Sequence, residues 1–176
     1  MEPDHILLER FIHGEEAAFH ELVVRYQKPL YRFIYRMIGH PEETEDLCQQ
    51  AFVQVFLKAA QFEGRAQFKT WLYRIALNLS RNVLRGKRLE TTDIDEISLP
   101  DGKGVLDSIL SEEERRLLRS AIQQLPEKQR ATVLLRIDQE LPFEEIAGIL
   151  GSPLGTVKAN FHHAVSGLKK LLREPS

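Results

Sequence analysis

Apolar residues recur at intervals of about three and four along most of the chain, the spacing that places side chains on one face of a helix. Between residues 143 and 172 this pattern marks two short helices separated by Gly151, a residue suited to the left-handed conformation that ends many helices. Ser152 is expected to cap the second helix and Pro153 to occupy its first position. This arrangement is typical of a helix-turn-helix, whose second helix reads the DNA major groove, although an ordinary helical hairpin in a core has the same pattern.

The same spacing predicts four helices in the first 90 residues. Pro29 is interpreted either as a kink or as the start of the second helix, and Gly39 as the end of that helix. Acidic residues at the start of the third helix suit the positive end of its dipole. The apolar faces of the four helices lie within residues 19–26, 30–38, 47–59 and 71–83.

The composition changes after Arg88. Residues 91–111 are acidic, contain one proline and two glycines, and lack a strong period, which indicates a linker. Helical spacing resumes at Leu117, and Pro126 is expected to start a further helix. No stretch reads convincingly as a strand. The sequence therefore predicts an all-α fold with two small helical domains, residues 1–90 and 113–176, joined by a flexible acidic linker at 91–112.

Composition and charge exclude several classes of protein. Hydrophobic residues make up 43% and charged residues 28% of the 176 positions, as in a folded soluble protein. The net charge of −2 divides into +1 for residues 1–90, −6 for 91–115 and +3 for 116–176, so it does not argue against nucleic-acid binding. The single cysteine, Cys48, excludes an internal disulfide and is expected to be a buried or half-buried thiol. The sequence shows no zinc-type Cys/His cluster, signal peptide or membrane-spanning segment, and we expect a cytoplasmic protein without cofactor or membrane contact.

A basic segment lies between the third predicted helix and the linker. From Lys69 to Arg88 it carries six cations and no acid, with aromatic residues such as Trp71 interleaved. Cations neutralise phosphates, and exposed rings stack on unpaired bases at about 1–3 kcal/mol each. Asn78 and Asn82 lie one helical turn apart and could hydrogen-bond to base edges. The alternative is a solvated basic face, and core packing is the favoured interpretation for Trp71 and its neighbour Leu72.

Four segments together carry a family resemblance. The stretches AFHELVVRYQKPLYRFIYRMIG, EDLCQQAFVQVF and FKTWLYRIALN, followed by the C-terminal helix-turn-helix, resemble the extracytoplasmic-function (ECF) group of sigma-70 family sigma factors. The first three correspond to region 2 of that family and the last to region 4. The resemblance implies a non-enzymatic protein that binds core RNA polymerase, gives it promoter specificity and is held inactive by an anti-sigma factor.

The resemblance also implies which residues make the contacts of region 2. Those that dock on the clamp helices of the largest polymerase subunit are Glu45, Asp46, Leu47, Gln50, Phe52 and Phe56. In the −10 element the non-template strand is melted and one base is flipped into a loop pocket, at a cost of a few kcal/mol. The expected pocket residues are Phe62, Glu63, Gly64 and Phe68. The remaining −10 contacts are expected from Lys69, Trp71, Arg74, Asn78, Arg81, Asn82 and Arg85.

The second helix of the helix-turn-helix is expected to read the −35 element as duplex DNA. The residues that match contact positions are Thr156, Lys158, Ala159, Asn160, His162 and His163. Lys158 is suited to guanine and Asn160 to adenine. Relatives often have arginine where this chain has Asn160, His163 and Val165, and an acid at the position of Asn82, so we expect a different base preference. His162 and His163 either add positive charge below about pH 6.5 or are neutral surface residues.

Three other functions fit the sequence less well. A stand-alone helix-turn-helix regulator predicts a dimerisation element, and no coiled-coil heptads are present. An enzyme predicts a nucleophile–base pair, a metal cluster or a glycine-rich phosphate loop, none of which the sequence contains. A sigma mimic that only sequesters another factor has no need for the basic aromatic segment.

Overall fold

The computed structural model describes residues 1–87 and 110–173, and all regular elements in this part of the chain are helical. The predicted all-α fold is thus confirmed for these residues. Contacts divide the chain into two compact units, Met1–Asp95 and Glu96–Ser176, called here the N-terminal and the C-terminal unit. Apart from residues 110–112, the predicted linker lies outside the described residues. Among the described helices, none has the length and apolarity needed to cross a bilayer.

The N-terminal unit is a bundle built around one long central helix. Its helices are α1 (Asp4–Ile12), α2 (Glu16–Ile38), α3 (Pro41–Lys58) and α4 (Phe68–Lys87), with a 3₁₀ turn at Ala59–Gln61 after α3. Helix α2 packs against the other three helices. Its fully buried residues include Leu30 and Phe33, and the Phe33 ring meets the edge of Tyr73 of α4 at a centroid distance of 5.2 Å. Burial of this apolar face supplies most of the bundle's stability.

The two helices expected on either side of Pro29 are a single helix of 23 residues, with Pro29 inside it. A proline removes one backbone hydrogen bond and crowds the preceding turn. Here Tyr26 and Leu30 are both buried on the same face, so packing against the rest of the bundle continues across the proline. Helix α2 ends where predicted, because Gly39 adopts φ 77° and donates its N–H to the carbonyl of Tyr35 at 2.7 Å.

The first helix described in the C-terminal unit is capped. Its elements are α5 (Glu112–Gln124), α6 (Glu127–Val133), a π-helical turn (Leu134–Asp138), α7 (Phe143–Leu150) and α8 (Leu154–Arg173). The Ser111 hydroxyl accepts from the Glu114 N–H, and the Glu114 carboxylate accepts from the Ser111 N–H at 2.7 Å. These bonds form a capping box and lower the pKa of Glu114. The first described helix of this unit therefore begins directly after its cap, Ser111.

Helices α7 and α8 form the predicted helix-turn-helix. Gly151 adopts φ 63° and ψ 34°, which ends α7, and Ser152 donates its N–H to the carbonyl of Ala147 at 3.1 Å. Helix α8 begins at Leu154, so Pro153 precedes the helix by one residue rather than occupying its first position. The Phe143 ring joins the two helices by meeting the edge of Phe161 at 5.4 Å. Because this contact turns Phe161 toward α7, the opposite side of α8 faces solvent.

Candidate nucleic-acid and polymerase interface

Helix α4 presents a basic face to solvent. Asn78, Asn82 and Arg85 are exposed and Arg74 and Arg81 are half-buried, and their spacing places all five on one side of the helix. From Arg74 to Arg85 this basic face extends about 16 Å, at about 1.5 Å per residue. No acidic residue occurs in α4. Helix α4 therefore places cations along this face with no acid of its own among them, an arrangement that favours phosphate binding.

An aromatic stack lies at the N-terminal end of this basic face. The ring of Phe62, in the loop before α4, stacks on Trp71 with a centroid distance of 4.7 Å and an interplanar angle of 24°. Both residues are half-buried. Leu72 is fully buried as expected, whereas Trp71 lies at the boundary between core and surface. Exposed edges of such a pair offer a stacking platform for an unpaired base.

The loop residues around this stack differ in exposure. Glu63 and Gly64 are exposed, and Gly64 adopts φ 72°, a left-handed conformation that strains any residue with a side chain. Glu63 pairs with Arg65 at 2.9 Å, but both side chains are mostly in solvent, where such a pair contributes little. Lys69 is half-buried at the start of α4.

Phe68 does not lie in the pocket that the sequence suggested. Its side chain is only 3% exposed and packs against Tyr26 of α2 at 5.5 Å and against the Trp71 ring at 6.1 Å. A base cannot reach this ring in the conformation described here. The expectation that Phe68 lines a base pocket is corrected accordingly: helical spacing turns it toward α2, where it supports Trp71 from the core side.

Helix α3 exposes one face that carries both polar and apolar side chains. Glu45, Asp46 and Gln50 are exposed and Phe52 is half-buried. Leu47 is 5% exposed and faces the core, so its expected contact with polymerase is corrected.

A shallow groove of about 370 Å³ continues the face of α3 that carries Asp46 and Gln50. The sequence prediction missed Gln49, Val53 and Gln54, which line this groove. They lie three, seven and eight positions after Asp46, a helical spacing that could have identified them.

An aromatic cluster adjoins this face. Phe56 is 48% exposed, and its ring contacts those of Phe11 and Phe19 at 5.1 and 5.4 Å. Val53 and Leu57 are 54% and 69% exposed. A second hollow of about 410 Å³ lies beside Phe56 and Phe19. Neighbouring apolar side chains left in solvent are typical of an interaction surface.

Cys48 lies on the opposite side of α3 from this groove. The thiol is buried, and burial together with the nearby Glu45 charge raises its pKa to about 12. The predicted buried thiol is confirmed. A protonated thiol of this kind is a poor nucleophile.

Helix α8 presents its outer face as a second polar surface. Thr156, Lys158, Ala159, His162 and His163 are exposed, and the two histidine rings lie 6.1 Å apart. Asn160 is half-buried, and its Nδ2 atom has neither solvent contact nor a hydrogen-bond partner. Bidentate recognition of adenine by Asn160 therefore requires another side-chain rotamer. Within residues 1–87 and 110–173, no group of three or more His, Cys, Asp and Glu could hold a metal ion.

Two families match the two units in chain order. Sigma-70 region 2 matches residues 22–90, and Sigma-70, region 4 matches residues 115–166. The chain is 34% identical over 172 residues to the ECF RNA polymerase sigma factor SigW of Bacillus subtilis, covering 92% of both chains. It is 36% identical over 172 residues to the ECF RNA polymerase sigma-E factor of Escherichia coli K12, covering 92% of this chain and 90% of that one.

Two solved structures share the fold. CnrH in complex with the cytosolic domain of CnrY superposes with a TM-score of 0.77 and 24% identity, over 99% of this chain and 100% of that one. The sigma factor RpoE in complex with the anti-sigma factor NepR, from Bartonella quintana, gives a TM-score of 0.69 and 23% identity, over 90% of this chain and 98% of that one.

Proposed function

The chain belongs to the ECF sigma factors of the sigma-70 family, and we propose that it reads the −10 element as melted single strand with its N-terminal unit and the −35 element in the major groove with its C-terminal unit. It is an RNA polymerase sigma factor that directs core polymerase to a specific set of promoters. We propose no catalytic role for the chain, no cofactor and a cytoplasmic location. For its domains we propose 1–90, a linker at 91–112 and 113–176.

The −10 proposal is supported by the basic face of α4, which has the Phe62–Trp71 stack at its N-terminal end. A single strand laid along α4 places its phosphates near the arginines. One base then meets the stack, and Asn78 donates to or accepts from a base edge. Glu63 and Gly64 form the rim of the base pocket.

For the −35 element we propose that the exposed face of α8 enters the major groove. Thr156 and Lys158 lie in the first turns of this helix, where side chains reach phosphates and base edges. Ala159, His162 and His163 lie on the same exposed side, and Asn160 contributes after a change of rotamer.

For core polymerase we propose the exposed face of α3, from Glu45 to Phe56. The acidic and amide side chains of the groove lie next to the exposed ring of Phe56. Such a mixture of an aromatic anchor with a polar rim is typical of protein interfaces. We propose that an anti-sigma factor covers this face and keeps the protein inactive. The sigma factor RpoE, which shares the fold, was solved in complex with the anti-sigma factor NepR.

The proposal is tested by in vitro transcription with bacterial core RNA polymerase on a fragment that contains the gene's own upstream region. The variants are the double substitution Trp71→Ala with Asn78→Ala, on the proposed DNA face, and Arg65→Ala as a control in the exposed loop. We expect a discrete transcript with wild type and Arg65→Ala, and none with core alone or the double variant.

Co-elution with core polymerase is measured in the same samples. Co-elution of the double variant with core, together with loss of its transcript, supports separate docking and DNA faces. A wild-type protein that neither co-elutes with core nor yields a transcript contradicts the proposal and favours the stand-alone regulator. A double variant as active as wild type contradicts the role of α4.

A further inference from the structure

A line of side chains connects the start of α1 with the Phe62–Trp71 stack. The Tyr26 hydroxyl of α2 donates to the Asp4 carboxylate, whose other oxygen accepts from Arg25 at 2.5 Å. The Tyr26 ring contacts Phe68 at 5.5 Å, and Phe68 contacts Trp71 at 6.1 Å. Trp71 in turn stacks on Phe62 at 4.7 Å. Each member therefore touches the next, from the first turn of the chain to the loop before α4.

The inner part of this line is held rigidly. Tyr26 is 8% and Phe68 3% exposed, so neither ring can turn without disturbing the core. Burial and the neighbouring Asp4 carboxylate raise the pKa of Tyr26, and its hydroxyl keeps the proton that it donates. The outer members, Trp71 and Phe62, are half-buried and have more room.

We propose that Tyr26, oriented by Asp4, is a positioning residue of the −10 surface: through Phe68 it sets the angle at which Trp71 and Phe62 stack. This inference rests on the proposed function of that stack. Neither Asp4 nor Tyr26 touches DNA in this account. Helix α1 thereby contributes to promoter recognition, although no residue of it belongs to the DNA-contacting set.

The edge-on contact between Phe68 and Trp71 explains how the orientation is transmitted. The two rings are inclined by 74°, the arrangement in which the positive edge of one ring points to the negative face of the other. A small rotation of Phe68 weakens the contact between its ring and the indole of Trp71. The indole then changes its orientation. Without the Asp4–Tyr26 hydrogen bond the Tyr26 ring is held by packing alone, so a small rotation of Phe68 costs less free energy.

The test uses the full-length protein and its only tryptophan, Trp71, as the reporter. The variants are Asp4→Ala, Tyr26→Phe and the double variant. Asp4→Asn restores only the tyrosine contact, because its single amide oxygen can accept from the Tyr26 hydroxyl while the ion pair with Arg25 is lost. Tyr31→Phe is the matched control, since Tyr31 lies on the same helix but stacks on Tyr35. Acrylamide quenching of Trp71 reports the stack, and binding to a fluorescein-labelled pool of random single-stranded DNA 12-mers reports its function.

We expect Asp4→Ala and Tyr26→Phe to change Trp71 quenching and to weaken binding of the 12-mer pool by about 3-fold to 10-fold, the size of one loosened aromatic contact. The double variant is expected to match Asp4→Ala, because that substitution has already removed the hydrogen bond that Tyr26→Phe would remove. Asp4→Asn and Tyr31→Phe are expected to resemble wild type. Circular dichroism confirms that each variant is folded at the temperature of the assay.

Different results separate the inference from the proposed function. If folded Asp4→Ala and Tyr26→Phe proteins keep wild-type quenching and binding, the positioning role is wrong. Additive losses in the double variant also contradict it, since they indicate two independent effects. If wild type itself does not bind the 12-mers, the proposed function of the stack fails, and the quenching data alone decide whether Tyr26 positions Trp71.

Discussion

Replacement of Arg130 by methionine tests whether one buried guanidinium holds the C-terminal unit together. Arg130 is 9% exposed and lies on α6. It donates to three carbonyl oxygens at the end of α5: Ile122 at 3.2 Å, Gln123 at 2.8 Å and Leu125 at 3.0 Å. Carbonyls at a helix C-terminus have no partner within the helix, and a cation there also meets the negative end of the dipole.

The expected loss follows from these three bonds. A hydrogen bond of this kind contributes about 1 kcal/mol net, and a buried carbonyl left without a partner costs about 1–3 kcal/mol. Water can reach the partly buried Gln123 carbonyl, and the Ile122 carbonyl still accepts from the Leu125 N–H at 3.1 Å, so both reduce the total. We expect Arg130→Met to lower the free energy of unfolding of the C-terminal unit by about 3 kcal/mol. A domain of this size is stable by only about 3–10 kcal/mol, so the effect is large.

The assay is urea unfolding followed by two signals. Far-UV circular dichroism reports both units, whereas fluorescence of Trp71 reports the N-terminal unit only. Arg130→Met is expected to shift part of the dichroism transition to lower urea and to leave the fluorescence transition unchanged. The control is Arg119→Met, which removes a partly exposed cation that lies 3.8 Å from Glu112. Equal dichroism curves for Arg130→Met and wild type would refute the reasoning.

Four further predictions concern the interfaces and the thiol. Arg85→Ala should lower the salt dependence of single-strand binding by about 0.7 in the log–log slope, the value of one phosphate contact, whereas Arg65→Ala should not; equal slopes for both variants contradict the α4 proposal. Phe56→Ala should weaken binding of the labelled protein to core polymerase by about tenfold or more, and an unchanged Kd excludes Phe56 as an anchor. Cys48 should resist Ellman's reagent at about pH 8, because burial raises its pKa to about 12 from 9. Between pH 9 and 12 the free energy of unfolding should fall less in Cys48→Ala than in wild type, since the unfolded wild-type chain loses this proton first, and equal falls refute the burial argument.

Local patterns made much of the fold predictable. The left-handed residues Gly39 and Gly151 end helices at the expected places because their conformational freedom is a property of the residue itself. Pro29 was ambiguous, since a proline ends a helix unless packing on both sides maintains it. Helix α1 was not predicted, because its buried residues Leu7 and Leu8 form too short a pattern to mark a helix.

The site was less predictable than the fold. The family resemblance assigns contacts by sequence position and not by exposure, so it named Leu47 and Phe68 although both lie in the core. The groove residue Gln49 is absent from the residues that the resemblance implies, although its helical spacing from Asp46 places both on one face. The contact between Asp4 and Tyr26 joins residues far apart in sequence, and only the folded structure reveals such a pair.

The central claim is that the N-terminal unit captures the −10 element as an unpaired strand. Permanganate footprinting measures this most directly, because the reagent oxidises unpaired thymines. On a promoter fragment that supports transcription, holoenzyme with wild-type protein should make −10 thymines reactive. Holoenzyme with the Trp71→Ala and Asn78→Ala double substitution should still protect the −35 element but leave those thymines unreactive. Equal thymine reactivity with both proteins would contradict the account.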